Sequence, residues 1–205
     1  MSNGIENTAN GMNDQDPRGS SHPEASKEQV TINRNGGDYF AQPYNTCVAG
    51  FYFDDYEDYQ TQAAALRDPF GSPVEEFEIQ AIDLDSAQAE LFNALSINQA
   101  TLERWFDEVV DLDERDMAAV FFLVTNNGYT LDDAMDKKDD MSLYEGDLIS
   151  AATDLFDECY ASQIPDNLKS YIDYEAFAQD CRCGGDMVEF DFAGSTWTCT
   201  SANNT

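Results

Sequence analysis

Positive charge is scarce in this chain. Its 205 residues hold 10 Lys and Arg against 41 Asp and Glu, for a formal net charge of −31 at pH 7, with a single His. A direct nucleic-acid binder builds its footprint from Lys and Arg that neutralise phosphates, and the material for one is missing here. An anionic membrane surface repels the chain for the same reason. Long apolar runs are missing too. The longest, residues 117–124 (MAAVFFLV), falls far short of the roughly 20 residues a membrane span needs. The opening MSNGIENTANGMNDQD has neither a cationic nor an apolar signal region, so the expected compartment is the cytoplasm.

Catalytic constellations are equally sparse. His22 is the one imidazole and lies in the N-terminal tail, so a Ser-His or Cys-His nucleophile has no base in the folded part. No GxxxxGK[ST] or GxGxxG run offers a phosphate cradle. Carboxylate pairs for glycoside chemistry carry no signal, because 41 acids allow any pair to be chosen. The expectation is therefore a protein that is not an enzyme. Five cysteines (Cys47, Cys159, Cys181, Cys183, Cys199) are odd in number and irregular in spacing, and read as free thiols. Cys181-x-Cys183 with Cys199 lacks the CxxC pairs of a structural zinc site. The Asp-rich stretches 111–116 and 132–140 lack the glycine of an EF-hand loop. No metal and no cofactor is expected.

What is present is a folding composition: 42% hydrophobic and 12% aromatic residues, with 13 Phe and 10 Tyr, which disordered acidic chains do not have. The patterning predicts an α+β fold made of an elongated chain of three small units. Residues 1–28 read as a disordered N-terminal arm. Residues 29–85 read as an N-terminal α+β unit, with strands over 30–34, 46–53 and 76–84 and a helix over 54–67. Residues 86–146 read as a central acidic helical unit. Ser96 and Gln99 form a capping-box pattern there. Behind it, Leu102, Trp105, Phe106, Val109 and Val110 recur as one buried stripe. Asp113 can cap a helix through Val124, and Thr130 with Asp133 can start a short one. Residues 147–205 read as a C-terminal α+β unit. Its helix over 147–160 turns Leu148, Ala152, Leu155, Phe156 and Cys159 inward, and a helical stretch follows Pro165. A closing hairpin runs over 187–199 and turns at Ala193-Gly194.

The acids are not spread evenly. Residues 54–158 hold 28 acids and 5 bases, a net of −23, whereas residues 1–53 net −3 and residues 159–205 net −5. Salt adaptation should acidify every exposed surface, and this clustering departs from that expectation. A second reading is that the carboxylates imitate phosphates. Duplex DNA presents one charge per about 1.7 Å of axis, so 31 charges correspond to about 50 Å of duplex. Carboxylates at i, i+4 on a helix lie about 6 Å apart, comparable to successive phosphates on one strand. Glu103, Asp107 and Asp111 follow that spacing. Like charges so placed cost helix stability a few tenths of a kcal/mol each. Such a surface can occupy a basic DNA channel and release the same counterions that DNA does. The candidate binding acids are Glu103, Asp107, Asp111, Asp132, Asp136, Asp154, Asp157 and Glu158. A third reading is an acidic decoy or adaptor for another basic DNA-binding partner, such as a different phage-defence nuclease or a nucleoid protein.

Roughly residues 74–199 resemble the ArdA antirestriction family. The most specific stretch is IPDNLKSYIDYEAFAQD (residues 164–180), which is similar to the family pattern P-x-x-L-x-x-Y-I/F-D-Y-x-A-[YF]-x-x-D. It places Pro165, Leu168, Tyr171, Ile172, Asp173, Tyr174, Ala176, Phe177 and Asp180 on family positions. GGDMVEFDFAGSTWTC resembles the family's closing hairpin, and VEEFEIQAIDLDS its acidic strand and turn. DLISAATDLFDECY sits where the family has its antirestriction helix. The resemblance implies an elongated homodimer that mimics bent B-form DNA. It would occupy the DNA channel of a type I restriction-modification enzyme, formed by specificity and modification subunits, in the cytoplasm of a bacterial host cell. It implies no catalytic residue. At helical spacing, the Tyr and Phe of YIDYEAF read as core packing.

Overall fold

The central strand of the first sheet is the one that the sequence pattern hides. Tyr39–Pro43 (β1) alternates buried Tyr39, Ala41 and Pro43 with half-buried Phe40 and Gln42. Its composition, with Gln, Ala and a terminal Pro, lacks the β-branched signature of a strand. In the computed structural model, which describes residues 36–204, β1 pairs antiparallel with both Phe51–Phe53 (β2) and Phe77–Ala81 (β3), in the order β2-β1-β3. The strand expected over 46–53 shrinks to its last three residues. Upstream, Asn45 accepts from the Cys47 backbone and holds a turn instead. The arm over 1–28 and the strand expected over 30–34 lie outside the described residues.

Helices follow with local starts. Tyr56–Ala65 (α1) is capped by Asp55, and Ser86–Ala94 (α2), absent from the sequence reading, by Asp85. The capping box expected at Ser96 is not formed. Ser96 adopts a left-handed φ of 51°, and its N–H and that of Ile97 return to Asn93 and Phe92. These two bonds are a Schellman stop for α2, with Ile97 buried beneath it. Ser96 thus ends a helix, and Gln99 clamps β3 by bonding the Phe77 N–H and the Glu75 carbonyl.

The next helix, Leu102–Arg104 (α3), widens at once into a π turn over Trp105–Val109, closed by the Val110 N–H on the Trp105 carbonyl. Leu102, Trp105 and Val109 are fully buried, as their spacing predicts. The Trp105 indole donates to the Tyr39 hydroxyl at 2.7 Å, tying this turn to β1. Glu114–Thr125 (α4), capped by Asp113, is buried on more than one face, since Ala118, Ala119, Phe122 and Leu123 join Met117 and Val120 inside. Leu131–Lys137 (α5) starts at Thr130 as expected.

The second sheet has the order β4-β6-β5: Leu143–Glu145 (β4), Val188–Phe192 (β5) and Ser195–Cys199 (β6). The hairpin turns at Ala193 (φ 55°) and Gly194 (φ 83°), the positive-φ pair of a tight two-residue loop. Between β4 and β5 come Leu148–Cys159 (α6), Asp166–Lys169 (α7) and Tyr174–Gly184 (α8). Cys159 is exposed, not inward, because the apolar face of α6 ends with Phe156 against Phe177. Tyr171, read from spacing as core, stands 82% exposed, because the chain leaves helix between α7 and α8.

The fold is therefore α+β, with two small antiparallel sheets among eight helices in the described residues. A large aromatic core joins the first sheet, α2, α3, α4 and the hairpin residues Phe192 and Trp197. A second, small core holds Leu148, Ala152, Ala178, Cys181 and Met187.

Candidate functional site: the acidic surface

The carboxylates divide by what they do. One group holds the fold together. Asp55, Asp85, Asp113, Asp147 and Asp173 each accept a backbone N–H in the first turn of a helix, at 2.7–2.9 Å. An N-cap of this kind contributes about 1 kcal/mol and favours the charged form. The Ser150 backbone N–H accordingly holds Asp147 below the ordinary carboxylate range. Glu90 and Glu189 work over longer range, accepting the N–H groups of Ala193 and Leu148 at 2.7 Å. Asp68 accepts from both Phe70 and Ser72.

A second group is paired with the few cations. Arg104 makes a bidentate pair with Glu108, at 3.0 and 2.7 Å, and reaches across to Asp132 on α5. The guanidinium holds Glu108 below its usual range. Lys138 binds Asp116 at 2.7 Å and Asp139 at 2.9 Å. Of the sequence-predicted site residues, Asp132 belongs here: it is exposed but shares its charge with Arg104.

A third group stands exposed with neither role. Glu103 and Asp107 project opposite the buried face of Leu102, Trp105 and Val109. Asp111 follows in the turn before α4, beyond the helix, and Asp136 lies on α5. On α6, the eight-residue set divides again. Asp157 accepts from the Tyr174 hydroxyl at 2.7 Å, which raises the Tyr174 pKa. A hydrogen bond to Asp154 raises that of Tyr144. Glu158 has no such partner among the described residues. The sequence reading also missed members of this group: Glu75, Glu76, Glu78, Glu114, Asp140 and Glu145 are exposed and engage no ion pair among the described residues. Alternation along β3, with Phe77 and Ile79 buried, was the available signal for Glu76 and Glu78.

Concave chemistry is slight. The cleft between α6 and residues 170–175 measures about 610 Å³ and is open to solvent. Among the described residues no group of three or more His, Cys, Asp or Glu is arranged to hold a metal ion. Cys181 and Cys199 sit in different cores. No helix among the described residues is long and apolar enough to cross a membrane.

A folded α+β protein that spends one set of carboxylates on its own architecture and leaves another unneutralised at its surface belongs with acidic interaction proteins. The particular family follows from the sequence as a whole. The family model for antirestriction protein (ArdA) matches residues 24–193, and the chain belongs to that family. Comparison with curated proteins and with solved structures returned no match. Membership makes this an antirestriction protein.

Proposed function

We propose that the protein inhibits type I restriction-modification enzymes by presenting carboxylates where the DNA channel of specificity and modification subunits binds phosphates. The observation that carries this reading is the third group above. Glu103, Asp107, Asp111, Asp136 and Glu158 repel their neighbours and hold nothing in place, so their cost to the fold has to be offset outside it. Asp132, Asp154 and Asp157 add exposed charge while keeping one partner each. The inhibition needs no catalysis, cofactor or metal, and it operates in the cytoplasm of a bacterial host. Binding is distributed, since each neutralised phosphate site releases counterions independently.

The protein acts as a homodimer in this reading. Two strongly acidic surfaces repel, so the contact belongs where acid is sparse, and residues 159–205 net only −5. Ile149, Leu168 and Tyr171 are exposed there and on the adjoining face of α6. Light scattering at micromolar concentration and moderate salt should give twice the monomer mass.

The test is a titration of the purified protein into a type I enzyme bound to labelled duplex, at two salt concentrations. Displacement that weakens steeply with salt is the expected result. No displacement at low salt would overturn the proposal, and a lysate pull-down would then ask whether another basic nuclease or a nucleoid protein is the partner.

A further inference from the structure

The most exposed large apolar side chain among the described residues is Phe70, at 92%. Among the described residues it makes no ring contact, and it belongs to neither core. Single exposed apolar residues are ordinary on protein surfaces, and exposure alone means little. Two further features set Phe70 apart. The first is rigidity. The Asp68 carboxylate accepts from the N–H groups of Phe70 and Ser72, both at 2.8 Å. The Asp68 N–H donates to the Ser72 carbonyl at 2.9 Å, and the Gly71 N–H to the Asp68 carbonyl at 2.9 Å. Arg67 and Pro73 close the base as a bridge pair, and the Arg67 guanidinium bonds the Ala64 and Leu66 carbonyls. Gly71, at φ +85° with nothing within 4 Å of where a Cβ would stand, completes the turn. The ring is carried on a tip whose ordering cost is met in the free protein.

The second feature is the setting. Pro73, Glu75 and Glu76 continue from the tip along a shallow cleft of about 250 Å³, lined on its far side by Tyr44, itself 66% exposed. From Asp54 to Glu76 the chain carries seven acids and one base, Arg67. An aromatic held rigidly at the edge of an anionic surface has the make-up of an interface hot spot: an apolar anchor ringed by charge.

Resting on the proposed function, we infer that Phe70 is a recognition anchor. Its ring seats in an apolar recess bordering the basic channel of the same restriction-modification enzyme that receives the carboxylates. Enzymes that modify bases have recesses of this kind, where an extruded base stacks on apolar side chains. The carboxylates supply salt-dependent attraction, and Phe70 supplies affinity that salt does not screen.

The experiment measures affinity for a type I modification enzyme at two salt concentrations, using the full chain and its F70A, F70W and D68A variants. F70A should weaken binding by at least about tenfold at both salts, with the salt slope unchanged. F70W should bind within a few-fold of the parent, and D68A, which loosens the tip, should fall between. Unchanged melting temperature in F70A separates anchoring from folding. F70A binding within twofold of a parent that binds well overturns the anchor alone. A parent that does not bind at low salt overturns the proposed function and the anchor with it.

Discussion

The two cores of this protein are built from different materials. The larger stacks aromatic rings: Tyr39 lies 5.4 Å from Phe53 and 5.0 Å from Phe106, and Phe92 meets Trp105 edge-on at 5.2 Å. The smaller, between α6 and α8, is made of Ala, Cys, Met and one Leu. Aromatic side chains bury 150–250 Å² each, as a rough scale, and dominate the energetics wherever they are enclosed. The smaller core encloses none, and its aromatics (Phe156, Tyr160, Tyr174, Phe177) pack at its rim. The lesson is a division of labour. The aromatic core encloses most of the buried apolar surface, whereas Ile149, Leu168 and Tyr171 around α6–α8 keep apolar side chains exposed.

That contrast can be broken most forcefully at Trp105. Trp105→Ala should cost about 3–5 kcal/mol in chemical denaturation, and Met187→Ala in the small core should cost less, near 2 kcal/mol. The reverse order would mean that the small core carries the stability. Tyr39→Phe removes the acceptor of the buried Trp105 indole and should cost about 1–3 kcal/mol. The same residue sets an alkaline limit. Burial raises its pKa to about 12 from an ordinary 10.0, so its contribution is complete below pH 10 and lost as pH rises through about 12. An unfolding series from pH 9 to 12 should show that decline, and Tyr39→Phe should flatten it.

On the other side of the comparison, Tyr171→Asp should leave the melting temperature within a degree or two, since an exposed side chain contributes little to folding. It should convert the proposed dimer to monomer in light scattering. The two classes of carboxylate give the smallest effects and the sharpest contrast. Asp85→Ala should destabilise by about 1 kcal/mol through lost capping. Glu103→Gln should be neutral or stabilising by a few tenths of a kcal/mol, because it relieves repulsion from Asp107. Acid separates them again. Asp147, held below its ordinary 3.8 by the Ser150 N–H, gives its stabilisation above that pH and loses it as pH falls further.

Local chemistry was legible in the sequence and distant chemistry was not. Asp113 and Thr130 announced their helices because a cap and its partner lie three residues apart. The Ala193-Gly194 turn did so because alternating strands flank it. β1 was hidden because its place comes from two neighbours, β2 and β3, and not from its own residues. Ser96 misled because Ser suits a helix start on paper, while its left-handed φ is imposed by the end of α2. Among the described residues, five of the eight proposed acids lack an ion pair or tyrosine partner, but nothing local told Asp132 from Asp136: only the fold brings Arg104 to the former. For the same reason Glu90 and Glu189 could not be recognised as anchors, since their partners lie 103 and 41 residues away.

The central claim is that the exposed carboxylates bind as a distributed imitation of phosphates. It is tested most directly by the salt dependence of affinity for a type I modification enzyme, measured for the parent and for stepwise Glu103→Gln, Asp107→Asn, Asp136→Asn and Glu158→Gln replacement. The account predicts a log–log slope that falls by about one with each acid removed, with a modest loss of affinity each time. A slope that stays constant across the series, or a single replacement that abolishes binding in a folded protein, would contradict it.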